Sequence, residues 1–430
     1  MSRVAYINAR LLDPASGLDS PGALLSEGET ISDVGPDLFS DGVPDGITTI
    51  DAQGHCLMPG LVDMRVQLRE PGEEYKGTLE SAGRSATAGG VTSMVCLPNT
   101  NPVIDDMSVL EFVARRARKL GLAKVYPYGA VTKGLMGEEL AEIGLLSESG
   151  ALAFTDGIKS VNDARIMARA LSYASNFGQM IIQHAEEPSL ASGGVMNSGE
   201  TATRLGLGGI PREAEIIMVE RDIRLAQMSG GRLHFAHLST SDAIDAVRKA
   251  KACGQAITCD TAPPYFALSE IAVGDYRTFA KLSPPLRAEQ DRLSVIEGLK
   301  DGTIDAIASD HAPHDEESKR LPFAQAAFGG VGLETLLAVT LELYHNGHMG
   351  LLEALGLITC APAQLLGLEA GRLQKGAPAD LALINLERGW KIDADKMHSI
   401  SKNSPFDGHL VQGRVLRTIV DGRMVFSDDI

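Results

Sequence analysis

The middle of the chain alternates short apolar runs with longer amphipathic stretches. Eight runs, at 57–64, 91–97, 124–131, 151–156, 180–184, 233–237, 256–260 and 305–310, have the length and composition of β-strands. Between them, segments such as 107–120, 161–174 and 214–228 carry apolar residues at helical spacing. The strand runs show little polar alternation, which suits strands covered on both faces. Eight strand–helix units in succession predict an α/β fold, a closed (β/α)8 TIM barrel over residues 57–370.

The flanks are patterned differently. Short β-segments at 4–12, 23–34 and 48–52 are broken by turn formers such as Pro14-Ala15-Ser16-Gly17. Near the other end, 381–384 and 415–420 are largely apolar, and Asp421-Gly422 is a strong hairpin turn. Neither flank can bury a sheet face alone. Residues 1–56 and 371–430 are therefore expected to share one small β-sandwich domain, with the barrel inserted between its halves.

Composition narrows the function classes. A formal net charge of −17 argues against a nucleic-acid partner, since phosphate binding needs surplus Lys and Arg. No run of about 18 apolar residues is present, so no membrane span is expected. The opening residues lack a signal-peptide core, which points to the cytoplasm. Cys56, Cys96, Cys253, Cys259 and Cys360 contain no Cys-x-x-Cys pair and read as reduced thiols. Cys253 and Cys259 read as buried, inert thiols rather than a metal pair.

Barrel sites form at the C-terminal ends of strands, and the chemistry-bearing residues fall there. The first strand runs into Arg65-Val66-Gln67-Leu68-Arg69 and the fifth into His184-Ala185-Glu186. The sixth carries His234-Phe235-Ala236-His237, and the eighth leads into Ser309-Asp310-His311-Ala312-Pro313-His314.

With these residues in place, the chain resembles the dihydroorotases of the amidohydrolase superfamily. Pro59-Gly60-Leu61-Val62-Asp63-Met64 followed by Leu68-Arg69-Glu70-Pro71-Gly72 is similar to their opening signature, and Leu97-Pro98-Asn99-Thr100-Asn101-Pro102 to their second. His234 to Thr240, Ser283-Pro284-Pro285-Leu286-Arg287, Asp310 to His314, Gly329 to Thr335 and Asn403-Ser404-Pro405-Phe406 continue the likeness over nearly the whole chain. The resemblance implies a zinc hydrolase of pyrimidine synthesis. His184, His237 and Asp310 match its metal ligands, and Asp310 also its general base. Arg69, Asn99 and His314 match residues that receive the substrate carboxylate, and Ser283 stands where Asn is usual.

The same resemblance exposes departures. The family's first-strand His-x-His is Arg65 and Gln67 here, and Gly157 replaces a metal-binding Asp. Guanidinium cannot ligate a cation, and an amide carbonyl is a poor zinc ligand. No histidine lies between His55 and His184, so no shift of register restores the pair. Pro264-Tyr265 also replaces a family His-His pair. Asp156, or a carbamylated Lys159, could in principle supply the missing oxygens. Without its metal, Asp310 needs a counter-charge, so either Arg65 occupies the vacated metal position and pairs with it, or Arg65 is simply drift at a site no longer used.

The reading that follows is a dihydroorotase homologue with no zinc or a partial site, acting as a non-catalytic scaffold for aspartate carbamoyltransferase. The alternative is an active dihydroorotase with a rearranged site. A third reading is a sensor that binds dihydroorotate or carbamoyl aspartate unchanged. A homo-oligomer is expected in each case.

Overall fold

The computed structural model describes residues 2–428. The first three barrel strands, Leu61–Val66, Val91–Cys96 and Lys124–Pro127, pair in parallel. The remaining five, Phe154–Thr155, Met180–His184, Arg232–Ala236, Ile257–Thr261 and Ala306–Ile307, form a second parallel arc in chain order. Single parallel bridges, Gly129 to Phe154 and Val66 to His311, join the arcs and close the barrel. Val95, Met180, Ile182, Ala236, Ala306 and Ala308 form one buried cluster on alternate strand positions. Continuing that alternation puts His184 and Asp310 on the same inner side.

Helices wrap the outside. Met107–Leu120 falls where the apolar spacing predicts it, with Asp106 capping Ser108 N–H. The expected 161–174 helix starts at Ala164, because the Asp163 carboxylate accepts from Arg165 and Ile166 N–H and fixes the start there.

The flanks meet as expected, as one eight-stranded hydrogen-bonded sheet drawn from both ends of the chain. It covers its own apolar cluster, with Tyr6, Leu11, Leu24, Leu57, Leu381 and Ile419 at its centre. The run at 57–64 divides between the two bodies. Cys56–Pro59 pairs with Leu381–Ile384 in the outer sheet, and the barrel begins at Leu61. The sheet therefore extends a few residues past the expected boundary at 56. Gly60 is the joint: a Cβ there lies 2.1 Å from the Thr92 side chain, so only glycine fits.

Candidate functional site

At the barrel mouth, Arg65 lies across the end of the eighth strand. Its Nε donates to Asp310 Oδ1 at 2.9 Å and its Nη2 to the Gly157 carbonyl at 3.1 Å. Both side chains are withdrawn from water, at 4% and 14% exposure, so the pair is a buried one. Burial pushes the Asp310 carboxyl up to about 6, while Arg65 pulls it down. Of the two readings of Arg65, the pairing with Asp310 is the one present.

His184 and His237 stand beside this pair, with His184 Nδ1 at 3.0 Å from His237 Nε2. Burial, then the Arg65 charge, lowers both imidazoles, His184 to about 3, so both are neutral at pH 7. Ser283 Oγ reaches His184 Nε2 at 3.4 Å, and the Tyr265 ring stacks 6.3 Å from that of His237. Arg69, His237 and Asp310 all have positive φ, at 66°, 41° and 50°. Left-handed backbone is strained for residues with a Cβ, by roughly 1–3 kcal/mol each, and such strain gathers at functional sites.

A second cluster forms the far side of the mouth. Arg69 Nη2 lies 3.1 Å from His314 Nε2, and its Nε donates to the Pro313 carbonyl at 3.0 Å. Burial holds the His314 ring down at about 3, with Arg69 adding to the effect. Arg69 is not an open fork, because Nη1 binds Glu73 Oε2 at 3.0 Å, and Lys76 is ion-paired to the same carboxylate. Glu73 escapes a reading based on strand ends. Its signal is the spacing of four residues from Arg69 across the turn.

Other candidate residues are already hydrogen-bonded. The Asn99 Nδ2 donates to Gln67 Oε1 at 3.1 Å, the acceptor that stands where the resemblance implies an imidazole. Asp156 is already used by its own loop, accepting from Val131 N, Thr132 N and the Thr132 hydroxyl. Lys159 is exposed and donates to the Leu135 carbonyl at 3.2 Å. Cys259 is buried as expected, but Cys253 is exposed at a helix end.

The residues present do not fit a zinc ion. Among the described residues, no group of three His, Cys, Asp or Glu is placed to hold a metal. His184 and His237 face one another as two donors would, yet Asp310 is turned onto a guanidinium whose charge repels a cation. A ligating imidazole usually fixes its second nitrogen by a hydrogen bond, whereas His237 Nδ1 is buried without a partner.

A closed barrel carrying its polar residues at the strand ends, with a sheet built from both flanks, defines an amidohydrolase-type protein. A family model described as Dihydro-orotase-like matches residues 54–243, and one described as Amidohydrolase family matches 288–426. A protein of Anaplasma phagocytophilum named dihydroorotase is 48% identical over 98% of this chain and 95% of its own length. One of Pelobacter propionicus with the same name is 46% identical over 97% of this chain and 98% of its own. The chain belongs to the dihydroorotase-like family. Among solved structures, L-hydantoinase from Arthrobacter aurescens superposes with a TM-score of 0.88 at 26% identity, covering 99% of this chain and 96% of its own. Dihydropyrimidinase from Brevibacillus agri, at 0.84 and 22% identity over 99% and 95% of the two chains, shares the fold. No helix among the described residues is long and apolar enough to cross a membrane.

Proposed function

We propose that this chain takes the ligands of the dihydroorotase reaction, dihydroorotate and N-carbamoyl-L-aspartate, and that it binds them without zinc-dependent hydrolysis. The observation that carries this reading is the Arg65–Asp310 ion pair. Opening the cyclic amide requires an activated water and an electrophile for the carbonyl oxygen. A base held by a guanidinium is a weak proton acceptor, and Arg65, Gln67 and Gly157 offer no replacement ligands. Beyond its bonds to Glu73 and His314, Arg69 keeps one further N–H on each terminal nitrogen, and His314 Nδ1 is unpartnered, which leaves donors for a planar carboxylate and supports retention of the ligand. A chain that binds and does not turn over suits a scaffold, and by family resemblance its partner is aspartate carbamoyltransferase, in a cytoplasmic assembly.

A second reading is favoured by the relatives. Full-length proteins 44–48% identical to this chain carry the name dihydroorotase. On that ground the chain catalyses the interconversion with a rearranged site, and the names support catalysis better than they support a scaffold. The two readings part on metal content and dihydroorotate turnover, measured together on purified protein. Stoichiometric zinc with turnover establishes the catalytic reading and refutes the binding-only one. Ligand binding with neither zinc nor turnover establishes the reverse.

A further inference from the structure

The Asn403-Ser404-Pro405-Phe406 motif belongs to the C-terminal flank, yet the Asn403 side chain reaches the loops of the barrel mouth. Asn403 is 1% exposed. Its Nδ2 donates to the Ala312 carbonyl at 3.1 Å and the Gly329 carbonyl at 3.0 Å, and its Oδ1 accepts from His314 N–H at 3.1 Å. Its own carbonyl accepts from Val331 N–H at 3.2 Å. Two residues earlier, Ser401 Oγ donates to the Lys76 carbonyl at 2.6 Å.

One short stretch thus grips all three loops around the carboxylate end of the site: the Arg69–Lys76 turn, the 311–314 turn and the 329–331 segment. Both amide hydrogens of Asn403 and its oxygen are engaged. Aspartate has the same shape but cannot donate, and sets negative oxygens against two carbonyls. His314 touches Arg69 through its ring and Asn403 through its backbone, so the tether sets how the two donors converge.

We infer that Asn403, seconded by Ser401, is a positioning residue for the anion receptor made by Arg69 and His314. The inference rests on the ligand reading above and assigns part of that recognition to the C-terminal domain. A binding group is held to within about 0.5 Å by the residues that support it, and a site about 1 Å too loose fails.

The test is isothermal titration of the full chain with dihydroorotate and with N-carbamoyl-L-aspartate. The proteins are wild type, Asn403→Ala, Ser401→Ala, His314→Gln and the Asn403→Ala/His314→Gln double variant. Asn403→Ala weakens binding by about tenfold or more, and Ser401→Ala weakens it less. Because Asn403 acts through His314, the double variant binds no more weakly than the worse single, whereas independent sites add. Unchanged affinity in Asn403→Ala, or an additive loss in the double variant, overturns the inference. If Asn403→Ala does not fold, Asn403→Ser and Ser401→Ala carry the same test, and wild-type affinity in both overturns it. A wild-type chain that binds neither compound refutes the ligand reading itself, which is a separate outcome.

Discussion

Replacing Arg65 by Met leaves Asp310 buried with no counter-charge, and the resulting loss of stability has a distinctive pH dependence. In the wild type the Asp310 carboxyl lies at about 6, raised by burial and restrained by Arg65. A folded-state value above the unfolded one means that stability is fully present below the unfolded value and is lost as pH rises to the folded value. For the wild type that loss is complete soon after pH 6. Without Arg65 the folded value moves higher, and buried carboxyls reach about 8–9. The variant therefore keeps losing stability above pH 6, by about 1.4 kcal/mol per pH unit until its new value is reached. The difference from wild type should be about 1 kcal/mol near pH 5.5, mainly the unpaired Gly157 carbonyl. It should grow to about 3–5 kcal/mol by pH 9, the range for breaking a buried pair from one side. Urea unfolding followed by far-ultraviolet circular dichroism between pH 5.5 and 9 measures it. Adding Asp310→Asn to the variant should flatten the dependence. A loss that is the same at every pH refutes the reasoning and reduces Arg65 to its packing.

Acid should destabilise the wild type. Burial lowers His184, His237, His311 and His314, so each takes up a proton on unfolding as pH falls below about 6.5. Asp63, Asp310 and Glu342, raised to about 6, and Asp156, Glu186, Asp222 and Asp380, also raised by burial, work in the opposite sense, but each over a narrower span of pH than a histidine lowered to about 3, so they offset the loss only in part. Thermal midpoints should therefore drop steadily from pH 6.5 to 4, and a rise sinks the argument. Gly60→Ala forces a methyl into Thr92 and should cost about 1–3 kcal/mol by the same urea titration; an unchanged midpoint means the joint is slack. Wild-type protein titrated calorimetrically with zinc should show no stoichiometric binding. The triple variant Arg65→His/Gln67→His/Gly157→Asp should gain it. Gly157 tolerates the change sterically, because a Cβ there makes only an ordinary 3.6 Å contact with Asn99, and Asp accepts its φ of 69° better than most residues. A triple variant that stays zinc-free refutes the idea that these three positions alone exclude the metal.

The barrel was legible because its strands are continuous apolar runs separated by long amphipathic segments. Where hydrogen bonding is brief, as at Phe154–Thr155 and Ala306–Ile307, the apolar run is longer than the paired strand. The Arg65–Asp310 pair was anticipated from the resemblance, which sets both residues at one metal position, joined to the need of a buried carboxylate for a counter-charge. The hydrogen bonds that decide which donors are open did not follow. Glu73 on Arg69, Gln67 on Asn99 and Thr132 on Asp156 are local competitors whose reach depends on backbone turns that composition does not specify. Asn403 was visible as part of a motif, but only the fold brings it to His314.

The pairing of Cys56–Pro59 with Leu381–Ile384 carries a consequence for how the protein is made. A strand laid down early in synthesis waits for a partner that emerges only after the whole barrel. Until then its edge is bare, and bare strand edges invite pairing with other chains. Closing so long a loop is cheap once the barrel has folded, because the entropy grows only with the logarithm of loop length. A barrel that forms first delivers the two half-sheets to one another. A chain truncated before residue 381 keeps a complete barrel sequence with an unsealed seam, and aggregation is its natural failure.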